Sequence, residues 1–207
     1  MTPPDPADLL RGIRVLPVLT LHDAHQAVGV ARALADGGLR TIEVTLRTPA
    51  ALEAIAAIVA NVPEVVVGAG TVRRGADLEA AARSGARFAV SPGFTAALAA
   101  AAATSRLPVI PGVATASEAM AAGEAGFRTL KLFPAEAAGG LGLLRALADP
   151  LPELRFCPTG GIGVTTYRKY LELLNVLCVG GSWVAPAALV AAGDWDAITA
   201  LAQEVSS

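Results

Sequence analysis

Eight short β-branched runs recur along the chain at nearly even intervals, and this repeat constrains the fold more than any other feature. The runs fall at residues 15–19, 41–47, 65–71, 88–92, 108–113, 129–134, 155–160 and 176–181, with starts separated by 26, 24, 23, 20, 21, 26 and 21 residues. Between them lie alanine-rich segments with apolar residues at helical spacing, so the pattern reads strand, helix, strand throughout. Strands that alternate with helices pair in parallel, each helix serving as a crossover. Eight such units in 207 residues predict an α/β fold of the (β/α)8 TIM-barrel type, near the lower size limit of that architecture. An open doubly wound sheet is the competing arrangement. No linker interrupts the repeat, so residues 1–207 are expected to form a single (β/α)8 barrel domain with a short N-terminal helix.

Local signals agree with this reading. Asp23-x-x-Gln26 and Thr115-x-x-Glu118 have the form of capping boxes, and Thr48-Pro49 places a cap before a first-turn proline. Gly37-Gly38, Gly85 and Gly126 follow the helical patterns where a left-handed residue would close the helix.

The second run, Thr41-Ile-Glu-Val-Thr-Leu-Arg47, alternates strictly: Thr41, Glu43, Thr45 and Arg47 share one face, Ile42, Val44 and Leu46 the other. In a barrel wrapped by helices the apolar face meets the helices, which turns Glu43 and Arg47 toward the lumen. On an edge strand the same alternation would only separate a wet face from a dry one. Lysine usage sharpens the first reading. Of 16 cationic residues only Lys131 and Lys169 are lysine. Lys169 sits in a helical pattern as a surface charge, whereas Lys131 lies in Thr129-Leu-Lys-Leu-Phe-Pro134, where Leu130 and Leu132 form the outward pair and Lys131 points inward. Even-numbered barrel strands share side-chain layers, so Glu43 on strand two and Lys131 on strand six are expected to meet. Burial and neighbouring cations favour the neutral form of an amine, and a neutral amine attacks a ketone to form an imine; a carboxylate beside it supplies acid and base. A structural Glu–Lys pair is the alternative, although buried pairs seldom stabilise more than their apolar substitutes.

Glycine-rich strand ends complete the candidate site. Pro158-Thr159-Gly160-Gly161 and Gly180-Gly181-Ser182 end strands seven and eight, where barrels present backbone N–H groups to phosphate. Gly68-Ala69-Gly70-Thr71 ends strand three with a hydroxyl in parity with Val67 and Ala69, suited to a carboxylate or carbonyl oxygen.

Several function classes are disfavoured. A net charge of −2 without a basic run offers no footprint for nucleic acid. The longest small apolar run, Ala96 to Ala103, falls far short of the roughly 20 residues of a membrane span. Met1-Thr-Pro-Pro-Asp-Pro lacks the cationic and apolar regions of a signal peptide, so a cytoplasmic protein is expected, with Cys157 and Cys178 as reduced core thiols. His22 and His25 lack a third ligand in a metal pattern, no Ser-His-Asp set is apparent, and Ser91-Pro92-Gly93 lacks the glycine before serine of a nucleophile elbow. No metal or other cofactor is expected. Trp183 and Trp195 are read as packing residues.

Six segments in order carry a family resemblance: Glu43-Val-Thr-Leu-Arg-Thr48, Gly68-Ala-Gly-Thr71, Ser91-Pro-Gly93, Lys131-Leu-Phe-Pro-Ala-Glu136, Phe156-Cys-Pro-Thr-Gly-Gly161 and Gly180-Gly-Ser-Trp183. Over roughly residues 10 to 205 the chain resembles the 2-keto-3-deoxy-6-phosphogluconate (KDPG) aldolases, including members that act on 4-hydroxy-2-oxoglutarate. The resemblance implies a class I lyase, metal-independent, that cleaves KDPG to pyruvate and glyceraldehyde 3-phosphate in the Entner–Doudoroff route. It implies Lys131 as the Schiff-base residue and Glu43 as general acid/base. Arg47 and Thr71 would hold the pyruvate-derived carboxylate; Gly160, Gly161 and Ser182 would bind the phosphate. It also implies a homotrimer whose only partners are small phosphorylated keto acids and pyruvate. Three rivals remain: a phosphogalactonate-type aldolase, a phosphate-binding isomerase or synthase without a covalent intermediate, and a non-catalytic barrel.

Overall fold

The computed structural model describes residues 6–206, so the reading of the first five residues as free of a signal segment falls outside it. Strands β1 (Val15–Leu19), β2 (Thr41–Thr45), β3 (Val66–Gly70), β4 (Phe88–Val90), β5 (Val109–Ile110) and β9 (Val179–Gly181) form a parallel sheet in the order β5-β4-β3-β2-β1-β9. A second parallel sheet has the order β6-β7-β8, from β6 (Gly112–Val113), β7 (Thr129–Leu132) and β8 (Arg155–Phe156). A short helix α1 (Ala7–Leu10) precedes β1. Between the strands lie α2 (His25–Asp36), α3 (Ala51–Asn61), α4 (Gly75–Arg83), α5 (Ala96–Thr104), α6 (Ala116–Glu124), α7 (Gly140–Ala148) and α8 (Tyr167–Leu171); α9 (Ala187–Ala192) and α10 (Trp195–Ser206) follow β9.

The fold is therefore α/β with parallel strands, as the repeat predicts, but the strands are divided between two sheets where an uninterrupted ring is expected. Pro111 marks one division. Its nitrogen has no hydrogen to donate, and the neighbouring carbonyls serve different sheets: Ile110 accepts from Ser91 at 3.0 Å on the β4 side, Pro111 from Lys131 at 2.8 Å on the β7 side. At the other division, single parallel bridges join Phe156 to Val176 and Thr159 to Gly180.

Strand alternation sorts the apolar residues into two clusters. Val15, Ile42, Val44, Val67, Leu130 and Leu132 pack under the helices, against residues such as Leu34, Ile55 and Leu78. Leu16, Phe88, Val90, Ile110, Cys157 and Cys178 form a separate cluster on the opposite, inner face, joined by Leu10 of α1. Full burial of Leu10 contributes about 1.5–3 kcal/mol, which ties the N-terminal helix to the base of the inner face.

Helix boundaries show where the local signals hold. Thr115 and Glu118 form a capping box at α6: the Glu118 N–H donates to Thr115 Oγ1 at 3.2 Å, and the Thr115 N–H to Glu118 Oε2 at 3.1 Å. Gly38, Gly85 and Gly126 have φ of +95°, +88° and +94°, as expected of residues that close helices. Asp23 behaves differently, accepting from the His25 N–H at 2.8 Å ahead of α2 instead of capping its third residue. Thr48 likewise donates to the Leu21 carbonyl and leaves α3 without a side-chain cap.

Replacing Thr115 by Ala removes one half of the capping box. Thermal unfolding followed by circular dichroism should show a loss of about 1 kcal/mol, or about 2–4 °C in Tm for a chain of this size.

Candidate active site

The two inner faces meet through one ion pair. Lys131, in the middle of β7, reaches Glu43, in the middle of β2, with Nζ 3.2 Å from Oε1 and 3.4 Å from Oε2. Both side chains are almost sealed, at 5% and 1% exposure, as the parity of their strands predicts. Phe133 lies close, its ring centroid 5.3 Å from Nζ, a distance at which a ring face attracts a cation.

Space for the Glu43 carboxylate comes from a missing side chain. A Cβ on Gly70 would lie 2.1 Å from Glu43 Oε1, so only glycine permits the carboxylate to occupy that place. Gly68, one inward position earlier on β3, leaves similar room for the Phe88 ring, 2.2 Å from where its Cβ would sit. Beyond Glu43 on β2, Thr45 is fully buried and its Oγ1 lies 2.9 Å from Thr20 Oγ1.

Arg47 lies two residues past the end of β2, exposed, where the sequence pattern extends the strand to include it. Its Nε donates to Thr71 Oγ1 at 3.1 Å. The parity assigned to Thr71 does not bring the two together, because Val67 and Ala69 pack on the helix side. A left-handed backbone does: Thr71 has φ of +59°, a conformation that costs a β-branched residue about 1–3 kcal/mol and that swings the hydroxyl to the mouth of the inner face. Sequence alone carries no sign of this turn.

Arg47 also lines a cavity of about 150 Å³ at the strand ends, together with Phe133, Thr159, Gly160, Gly161 and Ser182. Gly160 and Gly161 have φ of +102° and +82°, and a Cβ on Gly161 would lie 2.8 Å from Glu136 Cβ and Cγ. Among the described residues the Gly161 N–H meets no protein acceptor. A larger cleft of about 280 Å³ opens between α4 and α5, but the smaller cavity is the one lined by Arg47, Ser182 and the paired glycines. All seven candidate residues thus lie in two adjoining places: Lys131 and Glu43 at the closed centre, Arg47, Thr71, Gly160, Gly161 and Ser182 around the mouth.

Below the ion pair, Cys178 Sγ lies 3.4 Å from Cys157 Sγ, both buried and unbridged. Hydrogen bonding to Cys157 and burial push the Cys178 thiol well above its ordinary range. Lys169 is exposed on α8, and His22 and His25 are exposed ahead of and at the start of α2. Among the described residues no group of three or more His, Cys, Asp or Glu gathers as metal ligands, and no helix is long and apolar enough to cross a membrane. Trp195 packs on Gly29, and Trp183 on Gly181 and Tyr167, in keeping with packing roles.

Comparison with known proteins decides the family. Residues 7–201 match the model of the KDPG and KHG aldolases. The chain belongs to that family. The 2-dehydro-3-deoxy-phosphogluconate aldolase of Dickeya dadantii is 50% identical over 190 residues, which cover 92% of this chain and 89% of the relative. The KDPG aldolase of Legionella pneumophila, solved with pyruvate captured as a covalent carbinolamine, superposes with a TM-score of 0.96 at 42% identity over 99% of each chain. The KDPG aldolase of Zymomonas mobilis, solved with 3-phosphoglycerate, superposes at 0.90 with 48% identity over 97% of this chain and 94% of its own.

Gly70→Ala adds a single methyl group without left-handed strain and drives it into the carboxylate. The variant should fold, lose about 1–3 kcal/mol of unfolding free energy, and show the Lys131–Glu43 contact broken in a crystal structure. Retention of the 3.2 Å contact would contradict the packing account.

Proposed function

We propose that this chain is a class I aldolase that cleaves 2-keto-3-deoxy-6-phosphogluconate to pyruvate and glyceraldehyde 3-phosphate, and 4-hydroxy-2-oxoglutarate to pyruvate and glyoxylate. The observation that carries the reading is the sealed Lys131–Glu43 pair at 3.2 Å beneath a polar mouth. In a family of aldolases, one member of which holds pyruvate as a covalent carbinolamine, that pair has the parts an imine mechanism needs.

The chemistry follows from the residues. Transfer of a proton from the Lys131 ammonium to the Glu43 carboxylate yields a neutral amine, which attacks the C2 ketone of the substrate. Glu43 returns the proton to the departing hydroxyl, and the carbinolamine loses water to give a protonated imine. That imine is an electron sink. When Glu43, directly or through a water, takes the C4 hydroxyl proton, the C3–C4 bond breaks, the aldehyde leaves, and the electron pair moves into an enamine. Protonation of the enamine carbon by the same carboxyl group makes the methyl group of pyruvate, and hydrolysis frees Lys131. The imine nitrogen does the polarising, so no metal is required at the carbonyl.

Around this centre, Arg47 and Thr71 would hold the pyruvate-derived carboxylate, an arrangement their 3.1 Å hydrogen bond supports. The Gly160–Gly161 turn and Ser182 would take the phosphate at the cavity they line with Arg47. The two sheets are read as a closed (β/α)8 barrel, one domain over residues 1–207, because a single residue separates β5 from β6, and parallel bridges join Phe156 of β8 to Val176 and Thr159 to Gly180 of β9. A cytoplasmic homotrimer acting on small molecules, without nucleic-acid or membrane partners, completes the proposal.

Borohydride reduction in the presence of pyruvate should add a pyruvate-derived mass to the peptide containing Lys131 and to no other. Lys131→Met should abolish both the adduct and cleavage. Glu43→Gln should lower kcat about 100-fold or more. Cleavage should persist in a chelator. An intact turnover in Lys131→Met, or loss of turnover on chelation, would refute the mechanism.

A further inference from the structure

Glu136 presents a problem for the proposed phosphate site. Its Cβ and Cγ lie against Gly161, 2.8 Å from where a Cβ on that glycine would sit, and its N–H donates to the Gly160 carbonyl at 3.1 Å. The residue before it repeats the pattern, the Ala135 N–H donating to Thr159 at 2.8 Å. Glu136 is thus fastened by its backbone beside the turn that would receive a dianion, and its carboxylate, were it to swing toward that turn, would oppose binding.

The carboxylate is held elsewhere by a buried phenol. Tyr170, in α8, is fully buried, and its hydroxyl donates to Glu136 Oε1. Gly140 makes the approach possible, since a Cβ there would lie 2.8 Å from Tyr170 Oη and 3.5 Å from Glu136 Oε2. Burial, then the bond to Glu136, push the phenol above its ordinary range, so it stays a donor at any working pH.

We propose that Tyr170 is a positioning residue for substrate specificity: by holding the Glu136 carboxylate against the start of α7, it keeps the Gly160–Gly161 turn open to a phosphate dianion. Tyr170 touches no substrate and acts only through Glu136. The inference rests on the reading of that turn as the phosphate site, and it extends that reading from the residues that bind to the residues that keep a competing charge away.

KDPG and its dephosphorylated counterpart, used as substrates in one set of measurements, separate the phosphate site from the role of Tyr170. If the wild-type enzyme shows no preference in KM for the phosphorylated compound, the phosphate reading itself fails. Given that preference, Tyr170→Phe should raise KM for the phosphorylated substrate about five- to tenfold, with kcat and the KM of the dephosphorylated substrate nearly unchanged. Glu136→Gln/Tyr170→Phe should restore the lower KM, because the released side chain no longer carries charge. Glu136→Gln alone should leave KM for the phosphorylated substrate at or below the wild-type value, and it serves as the test should Tyr170→Phe fold poorly. An equal rise for both substrates, failure of the double variant to recover, or a several-fold rise in Glu136→Gln would overturn the role.

Discussion

A carboxylate and an ammonium brought together out of water are the constraint around which this molecule is arranged. Each ion loses several kcal/mol of hydration on burial, and their mutual attraction does not by itself make the pair more stable than a well-packed apolar substitute. The surroundings reflect that difficulty. Gly70 gives up its side chain to make room for the carboxylate, and Phe133 offers a ring face to the ammonium. The inner cluster of Leu16, Phe88, Val90 and Ile110, closed by Leu10, fills the space on that face away from the strand ends. The proposed imine chemistry would account for such a pair where stability alone does not.

The site joins rigid and strained parts. Glu43 and Lys131 stand on strands held by parallel ladders, with Glu43 in register with Val18 and Gly68, and Lys131 with Gly112. Groups placed this way move little, which suits acid–base steps that depend on hydrogen-bond reach. At the mouth, by contrast, Thr71 and the Gly160–Gly161 turn adopt left-handed backbone, where side chains and N–H groups can be aimed at a ligand. In the proposed mechanism the strands fix the reacting groups, and the turns beyond their ends would hold the substrate around them. The cleft between α4 and α5, though larger, lies away from both.

Much of this was legible in the sequence because period-2 alternation is a strong signal wherever one face must be apolar. Ile42 and Val44 on one strand, and Leu130 and Leu132 on another, determine where Glu43 and Lys131 point, and the scarcity of lysine makes the second residue stand out. What stayed hidden depends on contacts remote in sequence or on backbone turns that parity does not encode. Thr71 reaches Arg47 by a left-handed turn, against the alternation of its strand. Thr48 matched a cap signal yet donates to Leu21, 27 positions away, because a nearby carbonyl competes for the hydroxyl. Pro111 lies inside an apolar run that reads as a single strand, and its missing N–H divides that run between sheets. Glu136 and Tyr170 are 34 positions apart, and nothing in either local pattern announces the other. The family resemblance supplied the roles at the mouth; the residues themselves supplied the pair at the centre.

In the proposed reaction one buried amine becomes covalently joined to a keto acid, and the carboxylate beside it moves protons at the adjacent carbon. Exchange of the pyruvate methyl protons with deuterium oxide, followed by proton NMR with pyruvate as the only substrate, tests both halves at once. The wild-type enzyme should exchange the methyl protons, Lys131→Met should not, and Glu43→Gln should do so far more slowly. Exchange that persists without Lys131, or its absence in an enzyme that still cleaves the phosphorylated substrate, would contradict the account.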